Sequence, residues 1–155
     1  MRMELPPHGI EPAVLAEGKA FGRTAVMSYL ADSKQVAEHF ADRRRSGVPG
    51  RIDLLLNVAE GACPPYYVVI EVKNTQWDGQ APHRVRPNLL RHIRQVWRYL
   101  TPLQNELDNG AVSGLQGALL YPSRPRTAGR AGLISTLAEN EGVTVVYHEE
   151  LQGIP

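Results

Sequence analysis

RIDLLLNVAEGACPPYYVVIEVK, residues 51–73, holds two dense apolar runs separated by a Gly/Pro-marked break, and the fold turns on how they are read. Ile52 to Val58 is apolar almost throughout, the pattern of a strand covered on both faces. Tyr66 to Lys73 is aromatic and β-branched, a composition that suits a pleated sheet. The intervening EGACPP reads as a turn, so the two runs are expected to pair as a β-hairpin. Strand side chains alternate, which puts Glu71 and Lys73 on one face and Val72 on the other. In a hairpin, Asp53 reaches the same patch at the sheet end.

Upstream, Val14, Leu15, Phe21, Ala25, Val26, Tyr29 and Leu30 recur at roughly helical spacing, and residues 13–31 are expected to form a helix despite Gly18 and Gly22. Periodicity leaves Lys34 to Phe40 open between a short strand and an extension of that helix. Downstream, residues 74–86 read as a polar loop, and Pro87 suits the first turn of a helix. Leu89, Ile93, Val96, Leu100 and Leu103 then follow at spacings of four and three, an amphipathic helix. Leu115 to Tyr121 is a further strand, Arg130 to Asn140 a helix and Val143 to Tyr147 a last strand. The order predicts a mixed α/β fold in which a hairpin is followed by a βαβ-type crossover. Residues 1–12, with three prolines, are read as a loose arm. Residues 13–155 are read as one domain, since 155 residues suffice for one core.

Cys63 is the only cysteine, which excludes an intrachain disulfide and a cysteine-rich zinc site. The first twelve residues lack the apolar run of a secretory signal. No stretch approaches the roughly 20 apolar residues of a membrane helix. The expectation is a cytoplasmic protein with no membrane partner, although export as a toxin or effector domain leaves the same signature. The net charge of +1 is uninformative, so charge placement is the test of a nucleic-acid partner. Between Gly79 and Asn105 there is no Asp or Glu, yet Arg84, Arg86, Arg91, Arg94 and Arg98 stand there with His83 and His92. Arg43, Arg44, Arg45 and Arg51 precede Asp53. Guanidinium forks suit phosphate. The plainer alternative is a solubilising helix face, which ordinarily mixes both signs. Trp77 is read either as a base-stacking ring or as a cap on the core.

Two carboxylates, Asp53 and Glu71, make a hard oxygen site of the kind Mg²⁺ takes, and a lysine beside it stabilises developing negative charge. Taken alone, Glu-x-Lys is as readily a solvated surface pair. The combination RIDLLL at 51–56, IEVK at 70–73, a helix before and a crossover after resembles the PD-(D/E)xK nuclease superfamily. Ile52 stands where the namesake proline often does. The resemblance implies a restriction-endonuclease-like mixed central sheet flanked by helices, an αβββαβ core with a C-terminal αβ unit. It implies that Asp53, Glu71 and the carbonyl of Val72 hold Mg²⁺, with Mn²⁺ as substitute, and that Lys73 lies beside the scissile phosphate. Gln95 and Tyr99, spaced as Q-x-x-x-Y on one helical stripe, resemble the pair carried by RecB-like members, which implies that Gln95 orients site groups and that Tyr99 supports it or touches the substrate. For Tyr99, simple core packing is an equal reading. A helix acid often joins such sites; Glu17 is the favoured candidate and Glu38 its rival. The implied activity is hydrolysis of DNA, with Arg51 and the five helix arginines on the substrate and a homodimer where both strands are cut. The alternatives are a non-catalytic nucleic-acid-binding module on the same fold and a protein-interaction domain.

Overall fold

The computed structural model describes residues 34–41, 54–60 and 63–151. Helix α1 (Lys34–Ala41) precedes strands β1 (Leu54–Glu60) and β2 (Cys63–Val72). Helix α2 (Pro82–Asp108), strand β3 (Leu115–Tyr121), helix α3 (Arg130–Asn140) and strand β4 (Val143–Tyr147) follow. Short 3₁₀ turns occupy Trp77–Gly79 and His148–Leu151.

The four strands form one mixed sheet in the order β1-β2-β3-β4. β1 and β2 are the expected hairpin, antiparallel from Leu54↔Ile70 to Glu60↔Cys63 with an irregularity between Val58 and Glu60. β2 and β3 run parallel from Tyr67↔Leu115 to Val72↔Leu120, and β4 pairs parallel with β3. β2 begins at Cys63, inside the stretch read as a turn. Pro64 and Pro65 lack an N–H for a ladder, and they fall before Tyr67, where the pairing with β3 has not yet begun.

Alternation divides the core in two. Leu54, Leu56, Val58, Val68, Ile70, Val72, Ala118 and Leu120 face one side, where Val36 and Phe40 of α1 cover them. Leu55, Val69, Leu119 and Tyr121 face the other, against the stripe Val85, Leu89, Ile93, Val96, Leu100 and Leu103 of α2 and against Ile134 and Ala138 of α3. β1 is therefore buried on both faces, as its unbroken apolar run requires.

The open reading of Lys34 to Phe40 resolves to a helix, Lys34–Ala41, and the described sheet has two strands before the crossover. One expectation is corrected. Helix α2 starts five residues before Pro87: Pro82 occupies its first turn, and Pro87 and Pro102 lie inside the helix. An interior proline costs about 3 kcal/mol in helix propensity. The apolar stripe on either side of Pro87 buries Val85, Leu89, His92 and Ile93, enough contact to hold the helix through it.

α2 lies unusually close to the sheet. A Cβ built on Gly117 would stand 2.5 Å from Val96 Cγ1 and 3.0 Å from Leu100 Cδ1. Only glycine lets the helix approach β3 to this distance. The contact also sets the register: the Val96–Leu100 turn sits over the Gly117–Val69 pair, so earlier turns of α2 lie toward the carboxyl ends of β2 and β3.

Candidate active site

Glu71 and Lys73 stand at the carboxyl end of β2, on the face covered by α2. Lys73 Nζ lies 3.5 Å from Glu71 Oε2, with the two side chains 8% and 3% exposed. Alternation accounts for the placement, since Val72 between them enters the opposite core. Val72 pairs with Leu120, and the Lys73 N–H donates to the Leu120 carbonyl at 2.9 Å, which pins the end of the strand. Removing an ammonium and a carboxylate from water is expensive, and mutual attraction seldom returns a net gain. The fold carries this pair at a cost.

Asp53, Glu17 and Arg51 lie outside the described residues. Leu54, the residue after Asp53, pairs with Ile70, the residue before Glu71. Glu38 is exposed on α1, which covers the other face of the sheet, so it does not join Glu71 and Lys73.

The Q-x-x-x-Y pair divides. Tyr99 is buried in the core between α2 and the sheet. Gln95 is half-buried on the same flank of α2, one turn nearer the strand ends. Its Oε1 is shielded from water and meets no hydrogen-bond donor among the described residues. An acceptor so placed costs free energy unless a donor or a cation meets it.

Behind Lys73 lies a second polar cluster that the residue pattern did not predict. His92 Nδ1 and Tyr121 Oη share a 2.8 Å hydrogen bond. Trp77 packs edge-on against Tyr121 at 5.1 Å between ring centres and tilted against His92 at 5.9 Å. Trp77 is thus a core residue and does not offer its ring to a base. His92, counted above with the basic segment, is buried. Burial first, then the positive charges of Lys73 and Arg91, lower its pKa to about 3, so it is neutral at physiological pH. Burial pushes the Tyr121 hydroxyl well above its usual range. Both partners are neutral, and their bond is a neutral one.

The loops at this end of the sheet are knitted together. The Asp78 carboxylate accepts from the Thr127 hydroxyl and from the backbone N–H groups of Arg126 and Thr127. These bonds, the hydroxyl's foremost, lower its pKa to about 2. Arg130 donates to the carbonyls of Trp77 and Gln80. Both are site-shaping residues that local patterns did not reveal, because their partners are about fifty residues away.

The arginines of α2 are all exposed, but they do not form one patch. At ~100° per residue, Arg84, Arg91 and Arg98 fall on one line with Arg94 beside it, while Arg86 falls on the opposite flank. That other flank carries Trp97, whose Nε1–H donates to the Glu141 carbonyl beside α3. The Arg84–Arg91–Arg98 line therefore lies on the flank of Gln95, away from α3. No acid stands in the first turn of α2 and no base in its last, where Glu106 and Asp108 lie. This arrangement opposes the helix dipole, at roughly 0.3–1 kcal/mol per charge. Helix stability does not explain it.

Among the described residues, no three His, Cys, Asp or Glu side chains gather as a metal-binding group. The oxygen donors present, the Glu71 carboxylate and the buried Gln95 Oε1 on the facing helix, are of the kind Mg²⁺ takes, and the second expected carboxylate is Asp53. No helix among the described residues is long and apolar enough to cross a membrane. Compared with known proteins, the chain matches no family model, no curated protein and no solved structure.

Proposed function

We propose that the protein is a metal-dependent nuclease that hydrolyses phosphodiester bonds, with DNA as substrate, on a restriction-endonuclease-like fold. The observation that carries this reading is the buried Glu71–Lys73 pair at the end of a hairpin strand, under a helix whose outer face carries arginines. In this reading Asp53, Glu71 and the Val72 carbonyl hold Mg²⁺. When bound, the ion supplies Lewis-acid polarisation of the phosphate and lowers the pKa of a water. The Lys73 ammonium, already desolvated, faces the developing negative charge at little reorganisation cost. Gln95 contributes an oriented carboxamide, and Tyr99 supports α2 from within the core. Arg84, Arg91, Arg94 and Arg98 of α2, without Arg86, hold the substrate backbone. Homodimerisation for double-strand cutting belongs to the same proposal.

The test must separate chemistry from folding, because removing one member of a buried ion pair strands the other. The Glu71→Leu/Lys73→Met double variant leaves no orphaned charge and is expected to fold at least as stably as wild type. Digestion of plasmid and of single-stranded DNA with Mg²⁺ or Mn²⁺ should proceed for wild type, stop with EDTA and fall at least ~100-fold in the double variant. A double variant that still cuts would remove Glu71 and Lys73 from the chemistry. A wild type that binds DNA and never cuts it would favour the non-catalytic binding module.

A further inference from the structure

We infer that the Arg84–Arg91–Arg98 line of α2 is a preset track for a nucleic-acid phosphate backbone, and that it binds without reading base sequence. The inference rests on the nucleic-acid half of the proposed function and is independent of its hydrolytic half. Three observations carry it. First, the three guanidiniums recur every seven residues, about 10 Å apart along the helix axis. The guanidiniums of Arg84, Arg94 and Arg98 make no ion pair or hydrogen bond among the described residues. Second, Arg91 is held in place. Its Nη1 donates to Asn88 Oδ1 at 2.9 Å, and Asn88 Nδ2 donates in turn to Gln80 Oε1 at 2.5 Å. Anchoring the fork in advance reduces what ordering costs on binding. Third, the stretch between Arg84 and Arg98 offers little besides guanidiniums. Pro87 has no donor in its side chain, Asn88 is engaged with Arg91, the exposed ring of Trp97 is on the other flank, and Asn105 continues the line only beyond Arg98. Phosphate contacts fix register and orientation, whereas sequence is read by hydrogen-bonding and apolar groups at base edges. A guanidinium reads guanine only where it enters a groove; a row spaced along one exposed helix face meets phosphates first, so the binding is sequence-tolerant, and it places the strand along the flank that leads to Gln95 and the Glu71–Lys73 pair.

The test is fluorescence anisotropy with labelled 20-mer DNA in EDTA, so that cutting does not enter. Three unrelated sequences are titrated at several salt concentrations. Wild type should bind all three within about twofold. The Arg84→Ala/Arg91→Ala/Arg98→Ala variant should lose about two to three from the salt slope, at ~0.7–0.9 per phosphate contact. A charge-matched control, Lys34→Ala/Arg86→Ala/Arg126→Ala, removes three exposed cations from other faces and should keep the wild-type slope. Equal losses in the two triple variants would reduce the effect to net charge and overturn the track. Unchanged binding in the first variant, or discrimination of more than about tenfold among the sequences, would overturn it too. Binding through this line without cutting in Mg²⁺ would end the nuclease reading and leave the track standing. Cutting with an unchanged slope in the first variant would do the reverse.

Discussion

Two buried polar clusters share one face of the sheet, and they are built on opposite principles. His92 and Tyr121 are both neutral, joined by a 2.8 Å hydrogen bond and wrapped by Trp77. Such a pair satisfies itself and adds aromatic packing, so it serves the fold. Glu71 and Lys73, two residues apart on the neighbouring strand, bring opposite charges into the same interior at 3.5 Å. A pair of that kind is usually no better for stability than apolar side chains of similar size. One cluster is explained by packing; the other asks for a reason outside packing, and the proposed chemistry supplies it.

The comparison can be broken most decisively at the ion pair. Glu71→Ala should destabilise by about 3–5 kcal/mol, because Lys73 is left buried, while Glu71→Leu/Lys73→Met should match or exceed wild type by up to ~4 kcal/mol. Urea denaturation in EDTA measures both; a double variant as unstable as the single would make the pair a structural necessity. In the neutral cluster, Tyr121→Phe removes one partner of His92 and should cost about 1–3 kcal/mol by the same measurement. A loss below ~0.5 kcal/mol would mean that the hydrogen bond is replaced by another. A pH slope tests the same imidazole. Unfolded His92 takes up a proton below its ordinary 6.5, whereas folded His92 resists until about 3. The unfolded state then binds more protons across that window, so stability falls as pH drops through it, by at most ~1.4 kcal/mol per pH unit. Above pH 6.5 the group contributes no slope. The stability gap between wild type and His92→Gln should therefore narrow from pH 7 to pH 4, and a constant gap would show that the folded imidazole titrates normally.

Much of this architecture is legible in the residues. β3, α3 and β4 were expected over the ranges they occupy, and the hairpin pairs as its two apolar runs predict. Runs such as IDLLLNV and YYVVIEV are apolar at odd and even positions alike, as a strand covered on both faces requires. The placement of Glu71 and Lys73 on one face follows from alternation alone. What escaped has identifiable causes. His92 stands three residues after Leu89 on the core stripe, so its burial was available from spacing, but its company of arginines drew it into the basic segment. The start of α2 was hidden because Pro87 resembles a first-turn proline while Pro82 performs that role. Asp78 and Arg130 act between loops distant in sequence, and no local period records such partners. Arg86 shows the limit of composition: it shares an acid-free segment with the other arginines, and helical geometry sends it elsewhere.

The absence of a side chain at Gly117 has a mechanical consequence. With Val96 and Leu100 seated almost on the backbone of β3, α2 cannot slide or lift without opening a gap in a closely packed layer. The arginine line and the Glu71–Lys73 pair are thereby fixed to one chassis. In the proposed nuclease, a polymer laid along the line would meet the pair at a spacing the protein does not adjust, and any accommodation would come from the polymer.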